Sequence, residues 1–298
     1  MGLKTVVLNS ERMNYDGKLD LSVLSSEVKE YASTEQDQIL ERVQGMDVVV
    51  TKEMPVDGDT IARFPDSVQL ICEAGTGYNN IDIEAARARG ITVCNIPAYS
   101  TERVAHTAIM MILNLSSSMQ IQQAMLARGD RSNFTKCMQV SHVEVNGKVL
   151  GIVGAGNIGR EVIKVAQALG MKVLAYTRTP RADEDNLKYV SLEELLKQSD
   201  YISLHCPLTP QTRHMINKET IAMMKPTAYI INTGRGALID EPALIEALKE
   251  GRIAGAGLDV QETEPPVQDN PLYDMPNVIL TPHMGWKGLE TRQRLVSI

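Results

Sequence analysis

The chain alternates short apolar runs, rich in valine and isoleucine, with amphipathic stretches of helical length. This alternation is typical of parallel sheets built from strand–helix–strand units. The first part of the chain predicts strands at KTVVLN, DVVVTKE, VQLICEAG and ITVCNI, with helices such as EQDQILERVQ and IDIEAARARG between them. Together these elements predict a small α/β unit.

A turn signal, IPAYSTE at residues 96–102, ends this first unit. A long apolar helix follows to about Ser117, with Ser100 or Thr101 as its cap, so we expect a hinge here. Between residues 119 and 146 the pattern weakens into a polar stretch. We interpret this stretch as either a surface loop or an arm that grips a second subunit.

A second, larger series of elements begins at Lys148. Strands are predicted at VLGIVG, KVLAYT, YISLHC, TAYIINT, AGAGLDV and NVILTP, with helices between most of them, including EPALIEALKE capped by Asp240. This series predicts a doubly wound parallel sheet. In such sheets ligands bind beyond the carboxyl ends of the strands, so residues just after each strand are the candidates for chemistry.

Length and charge narrow the class of protein. With 298 residues the chain is long for a single core and suits two domains. Its 30 Lys and Arg residues against 37 Asp and Glu residues give a formal net charge of −7, the wrong sign for neutralising a phosphate backbone. We therefore expect no nucleic-acid partner.

The spacing of the cysteines and the length of the apolar runs indicate where in the cell the protein is located. The four cysteines include no CxxC pair, which favours a reducing cytoplasm and predicts no metal site. The longest apolar run, AIMMILNL, is far shorter than the ~20 residues of a membrane span. The N-terminal KTVVLN segment is typical of a first strand rather than of a signal peptide. We expect a cytoplasmic protein without a membrane anchor.

A glycine motif follows the strand VLGIV and opens the next helix. In this setting Gly154 permits a tight turn, Gly156 lets the backbone approach a pyrophosphate, and Gly159 lets the helix pack on the strand. The amino end of the helix would attract the anion. The motif predicts a dinucleotide site, and a glycine-rich turn without a ligand is the alternative.

The end of the strand KVLAYT bears on the choice of coenzyme. Thr177 stands where an acid would bind the ribose hydroxyls of NAD, about 20 residues after the glycine motif. Arg178 and Arg181 follow, and two guanidinium groups suit a ribose 2′-phosphate. We therefore expect NADP to be preferred, with NAD possible if both arginines are solvated surface charges.

Three later strands end in residues that suit hydride chemistry: Arg235 in INTGRG, Asp259 and Glu264 in LDVQETEP, and His283 in TPHMGW. Reduction of a ketone needs a cation that orients a substrate carboxylate and a proton donor at the carbonyl oxygen. Arg235 suits the first task and His283 the second. A carboxylate at Glu264 would stabilise the protonated imidazole.

The motifs GTGYNNID, NIPAYST, GIVGAGNIG, SLHCPLTPQT, INTGRG, LDVQETEP and TPHMGW occur in this order over nearly the whole chain. In them the chain resembles the D-isomer-specific 2-hydroxyacid dehydrogenases, which include hydroxypyruvate and glyoxylate reductases, D-lactate dehydrogenase and phosphoglycerate dehydrogenase. Trp286 after HMG resembles the hydroxypyruvate and glyoxylate reductase branch. The resemblance implies an enzyme that transfers a hydride between NAD(P)H and a small 2-keto acid, giving a D-2-hydroxy acid.

The same resemblance implies an α/β fold of two Rossmann- or flavodoxin-like doubly wound parallel-sheet domains with a cleft between them. Residues 1–99 would bind the substrate, with 287–298 returning toward them. Residues 100–286 would bind the dinucleotide and form a homodimer. Relatives continue past ETRQRL through a last helix that returns to the first domain, so we expect this closing element to be missing after Ile298.

The resemblance also implies residue roles. Arg235, Glu264 and His283 would be catalytic, and Asp259 would lie near the nicotinamide carboxamide. Backbone NH groups of Thr76 and Gly77, with Arg235, would hold the substrate carboxylate. Further cofactor contacts are implied at Asn157, Ile158, His205, Pro207, Thr212 and Thr233, for which ordinary loop structure is the competing account.

Some positions depart from the family pattern. Thr177 replaces the acid usual in relatives that use NAD, and His106 stands where many relatives carry Gln or Glu, which we interpret as packing. Alternative functions are D-lactate or phosphoglycerate dehydrogenase, or a non-catalytic NAD(H)-sensing protein resembling a corepressor. Glu264 argues against formate dehydrogenase, which is expected to carry Gln there.

Overall fold

A computed structural model describes residues 2–179 and 181–298. The strands are β1 (Lys4–Val7), β2 (Glu27–Glu30), β3 (Val48–Thr51), β4 (Leu70–Glu73), β5 (Thr92–Asn95), β6 (Val149–Val153), β7 (Lys172–Tyr176), β8 (Leu187–Tyr189), β9 (Tyr201–Leu204), β10 (Tyr229–Asn232), β11 (Gly255–Leu258) and β12 (Val278–Leu280). The α-helices are α1 (Glu11–Asn14), α2 (Ile39–Arg42), α3 (Gly58–Ala62), α4 (Ile83–Ala88), α5 (Thr101–Ser116), α6 (Met119–Ala127), α7 (Ser132–Thr135), α8 (Asn157–Ala168), α9 (Leu192–Gln198), α10 (Lys218–Ile221), α11 (Glu241–Lys249) and α12 (Leu289–Ser297).

The described chain divides into two compact units, residues 1–100 with 286–298, and residues 101–285. Within the described part of the first unit, a parallel sheet has the strand order β2-β1-β3-β4-β5. Alternate residues of the strands pack to opposite faces: Val6 and Val49 into one apolar cluster, Val7 and Val50 into another. The substrate-binding role of this unit stays a prediction.

The helix α12 belongs to the first unit. Its Arg292 is only 2% exposed and donates hydrogen bonds to both carboxylate oxygens of Asp16, at 2.9 and 2.7 Å, and to the carbonyl of Met13. Leu295 packs into the same apolar cluster as Val7 and Val50. The end of the chain is therefore part of the first unit's core.

The second unit contains, among its described residues, a parallel sheet of order β12-β11-β10-β9-β6-β7-β8. Both faces are covered: Ile231 packs with α5 and α8, while Ile230 packs with α9 and α11. Such burial on both faces explains why the strands are nearly continuous apolar runs. The two parallel sheets confirm the predicted α/β class with doubly wound sheets. Strand β6 is flanked by β7 and β9, so the glycine motif lies at the point where the strand order reverses.

Several elements were not predicted, among them β2, β8 and α6. Strands β2 and β8 lie at sheet edges, where one side has no partner and few apolar residues are needed. Residues 119–127 form α6, so the surface-loop alternative is wrong for this part, whereas an arm that grips a second subunit stays a prediction. Its apolar positions are interrupted by three glutamines, which weakens the helical pattern. No helix among residues 2–179 and 181–298 is long and apolar enough to span a membrane.

Candidate active site

The candidate catalytic residues follow three neighbouring strands of the second unit. Strand β10 pairs with β11 and β11 with β12, all in parallel, so their carboxyl ends share one edge of the sheet. Arg235 follows β10, Glu264 follows β11 and His283 follows β12. The fold therefore delivers a guanidinium, a carboxylate and an imidazole to the same edge.

Glu264 and His283 are in direct contact. Nδ1 of His283 lies 2.7 Å from Oε2 of Glu264, a hydrogen-bond distance across 19 residues of sequence. The other carboxylate oxygen accepts a hydrogen bond from the backbone NH of Gln261 at 3.1 Å. Because Nδ1 contacts the carboxylate, Nε2 is the ring nitrogen that does not face Glu264. This geometry fixes both the orientation of the ring and the tautomer of its neutral form.

Asp259 holds the turn that carries His283. Its carboxylate accepts hydrogen bonds from the hydroxyl of Thr281 and from the backbone NH groups of Met284 and Gly285, both at 2.8 Å. Its backbone carbonyl accepts from the NH of His283 at 2.9 Å. His283 has φ of 49°, in the left-handed region that side chains other than glycine seldom adopt. These bonds stabilise that conformation, a structural role that sequence reasoning missed. A contact of Asp259 with a nicotinamide carboxamide stays a prediction.

The guanidinium of Arg235 is only partly used by the protein. Among the described residues it donates one hydrogen bond, to the carbonyl of Gly234 at 2.8 Å, and makes no ion pair. The turn after it packs tightly: a Cβ at Gly236 would lie 1.8 Å from the carbonyl oxygen of Gln261. The structure thus brings the turn of Arg235 against the segment that carries Glu264.

The glycine motif has the geometry of an anion cradle. Gly154 has φ of 100°, and a Cβ there would lie 2.7 Å from the backbone nitrogen of Cys206. A Cβ at Gly159 would lie 2.2 Å from the carbonyl oxygen of Gly154, whereas a Cβ at Gly156 would meet nothing within 4 Å. Helix α8 begins at Asn157 without a side-chain cap. Its first NH groups, including that of Ile158, are therefore available to an anion, and the site fits a dinucleotide pyrophosphate.

The end of β7 presents positive charge. Thr177 donates its hydroxyl hydrogen to the carbonyl of Thr179 at 2.7 Å, which shapes the turn. Arg178 is exposed, and its guanidinium makes no hydrogen bond or ion pair with any other described residue. Among the described residues, no carboxylate contacts this guanidinium.

Other predicted cofactor residues lie after β9 and β10. Burial lowers the pKa of His205 to about 4, and its Nε2 lies 2.8 Å from the hydroxyl of Ser203. Thr212 donates to the carbonyl of Pro207 at 2.8 Å, so this pair forms a loop contact of its own. Thr233 is 8% exposed, and its hydroxyl has no hydrogen-bond partner among the described residues. A buried hydroxyl without a partner is a signal for a ligand atom.

Thr76 and Gly77 lie in the first unit, after β4. The hydroxyl of Thr76 donates to the carbonyl of Ile96, and the side chain of Asn95 donates to the carbonyl of Thr76. The backbone NH groups of Thr76 and Gly77 meet no acceptor within the described part of the chain.

His106 is exposed on α5, so its interpretation as a packing residue is wrong.

Comparison with known proteins identifies the family of the chain. The sequence profile of the D-isomer specific 2-hydroxyacid dehydrogenase NAD binding domain matches residues 109–285. The hydroxypyruvate reductase of Blautia hydrogenotrophica is 41% identical over 269 residues, which cover 89% of this chain and 83% of that protein. The glycerate dehydrogenase of Methylorubrum extorquens is 42% identical over 274 residues, which cover 90% and 85% of the two chains.

A solved structure is similar over almost the whole length. A glyoxylate reductase from Paecilomyes thermophila gives a TM-score of 0.85 at 33% identity, covering 98% of this chain and 92% of that one. Fold, sequence profile and full-length relatives agree. The chain belongs to the D-isomer specific 2-hydroxyacid dehydrogenase family and is a nicotinamide-dependent reductase of 2-keto acids.

Proposed function

We propose that the protein reduces hydroxypyruvate or glyoxylate, with Arg235, Glu264 and His283 as its catalytic residues. The observation that carries the catalytic part of this proposal is the 2.7 Å contact between Nδ1 of His283 and the Glu264 carboxylate, at the same sheet edge as the glycine cradle. A histidine paired in this way is a proton donor and acceptor at a defined atom.

Each residue has one task in the proposed reaction. The bound nicotinamide supplies the hydride for the substrate's carbonyl carbon. Arg235 binds the substrate carboxylate through its unused guanidinium donors and orients the carbonyl. His283 donates the Nε2 proton to the carbonyl oxygen, which becomes the hydroxyl group. Glu264 stabilises the imidazolium before transfer, and the reverse reaction returns the proton to Nε2.

Further contacts follow from the same proposal. The backbone NH groups of Thr76 and Gly77 would donate hydrogen bonds to the substrate carboxylate, since they meet no acceptor within the described chain. Gly154, Gly156, Asn157, Ile158 and Gly159 would hold the pyrophosphate. The roles of His205, Pro207, Thr212, Thr233 and Asp259 as coenzyme contacts belong to the same proposal.

The substrate proposal rests on relatives whose names specify hydroxypyruvate, glycerate and glyoxylate. D-lactate or phosphoglycerate dehydrogenase is the second candidate, and an NAD(H)-sensing binding protein the third. A panel of hydroxypyruvate, glyoxylate, pyruvate, phenylpyruvate and 2-ketoglutarate separates hydroxypyruvate and glyoxylate reduction from D-lactate dehydrogenase activity by kcat/KM. Highest values for pyruvate would overturn the substrate proposal, and no turnover with any of the five acids would favour phosphoglycerate dehydrogenase or the binding protein.

The preferred coenzyme is proposed to be NADP. The exposed Arg178 guanidinium and the absence of a carboxylate at position 177 support this. Arg178→Ala should raise the Kd for NADPH by about tenfold, which corresponds to the free energy of roughly one charge-assisted hydrogen bond. The Kd for NADH should not change. A wild-type enzyme that binds NADH more tightly than NADPH would contradict the proposal.

The catalytic proposal is tested at the paired side chains. His283→Gln should lower kcat by about 10²–10⁴-fold, the usual contribution of general acid catalysis, with NADPH affinity unchanged. Glu264→Gln should have a smaller effect of the same kind, because the ring remains in place. Unchanged turnover in His283→Gln would remove His283 from the mechanism.

We also propose a cytoplasmic homodimer, which sedimentation measurements and fractionation of cells would test.

A further inference from the structure

The segment that carries Glu264 lacks hydrophobic anchors. In residues 261–269, all of which are described, no side chain is buried, whereas Val260 and Asn270 on either side are. The segment also contains no helix or strand. Its position must therefore depend on polar contacts and on the close approach of Gly236 to Gln261. A carboxylate that has to meet an imidazole at 2.7 Å needs such support.

Glu262 supplies the polar contacts. One oxygen of its carboxylate lies 2.6 Å from Nε2 of His214, with Arg213 at 3.6 Å. The other oxygen accepts the backbone NH of Glu241 at the start of α11, at 3.4 Å. In return the NH of Glu262 donates to the carboxylate of Glu241 at 3.0 Å. The segment is thus bonded to helix α11 in both directions and to a histidine from another loop.

His214 is itself held in place. Its backbone NH donates to the carbonyl of Ala237 at 2.8 Å, and its carbonyl accepts the side chain of Asn217 at 3.1 Å. Its φ of 51° is unusual for a histidine and is stabilised by these bonds. Because Ala237 lies in the turn after Arg235, His214 links the loops that follow β9, β10 and β11.

We propose that His214 and Glu262 are positioning residues, which act through the Glu262 carboxylate to keep Glu264 against Nδ1 of His283. This inference rests on the proposed catalytic role of Glu264. Neither residue needs to contact substrate or coenzyme. Loss of the contact frees the segment, and the carboxylate then spends less time on the imidazole.

Steady-state kinetics of purified full-length variants test the inference. His214→Ala should lower kcat by about tenfold, within the range of couplings between contacting residues, with the KM for NADPH and for the keto acid changed less than twofold. His214→Gln retains a donor toward Glu262 and should restore most of kcat. Lys218→Ala, which removes an exposed ion pair with Glu246, is the matched control and should retain wild-type kcat.

A double variant separates positioning from a general structural effect. If His214 acts through Glu264, His214→Ala should not lower kcat further when added to Glu264→Ala, which leaves no carboxylate to position. Additive losses would overturn the inference, as would wild-type kcat in His214→Ala. An unaffected kcat in Glu264→Gln alone would instead refute the catalytic proposal. If His214→Ala does not fold, Glu262→Gln takes its place in the same comparison of single and double variants, because the glutamine keeps one acceptor oxygen.

Discussion

The glycine cradle allows a test in which binding and stability respond to different positions. Gly156 has φ of −80°, which alanine adopts readily, and its added Cβ would meet no atom within 4 Å. Gly156→Ala should therefore leave the free energy of unfolding unchanged, or raise it by about 0.4–1 kcal/mol, because the unfolded chain loses freedom. The new methyl group would occupy the space that a pyrophosphate needs.

The effect on binding can be estimated from the contacts at stake. Displacing the phosphates from one or two backbone NH groups would remove charge-assisted hydrogen bonds of roughly 1.5–3 kcal/mol each. The Kd for NADPH should then rise by at least about tenfold, since each 1.4 kcal/mol corresponds to a factor of ten. Fluorescence titration with NADPH measures the Kd, and urea unfolding measures the stability.

Gly159→Ala is the matched comparison. Its Cβ would lie 2.2 Å from the carbonyl oxygen of Gly154, so the backbone itself must shift. Overpacking of this kind costs about 1–3 kcal/mol, and we expect this variant to be less stable as well as weaker in binding. If Gly156→Ala bound NADPH as tightly as the wild type, the assignment of the cradle to a pyrophosphate would be wrong.

Three further outcomes are expected. The pKa of His205 falls from 6.5 to about 4 in the folded chain, so the unfolded state binds the proton first and stability should be lost as the pH falls from 6.5 to 4. The loss is roughly 2–3 kcal/mol, at about 1.4 kcal/mol per tenfold difference in proton affinity. In urea unfolding, the free energy of unfolding of His205→Gln should depend less steeply on pH between 4 and 6.5 than that of the wild type. An equal dependence on pH would contradict the burial argument. Asp16 has a pKa lowered to about 2 by its hydrogen bond with Arg292, so its contribution is present above pH 3.8 and lost toward pH 2. Asp16→Asn should lower the Tm at pH 7 but not at pH 2, and an equal difference at both values would exclude the ion pair as the cause. Ile230→Ala and Ile231→Ala should each cost about 2–5 kcal/mol, because both faces of the second sheet are covered. A neutral effect of either one in urea unfolding would mean that its face is not packed.

Much of the fold could be predicted because parallel strands buried on both faces leave a local signal. Strands β6, β9 and β10 are almost continuous apolar runs, and each reappears within a residue or two of its predicted position. Edge strands β2 and β8 leave a weak signal, since burial on one side needs few apolar residues. The candidate residues Arg235, Glu264 and His283 could be named because each follows a strand of the same sheet, although their roles stay predictions.

The order and type of most elements, and the placement of the glycine motif after a strand, could therefore be predicted from the sequence alone. Other side-chain contacts depended on the tertiary structure. The pairing of Glu264 with His283 was expected from the sequence, whereas the contacts of His214 with Glu262, 48 residues apart, and of Asp16 with Arg292, 276 residues apart, were not. Hydrophobic periodicity indicates which face of its own helix or strand a residue occupies. These pairs depend instead on where loops from different strands lie in space. For the same reason the sequence did not reveal that Asp259 holds the turn of His283.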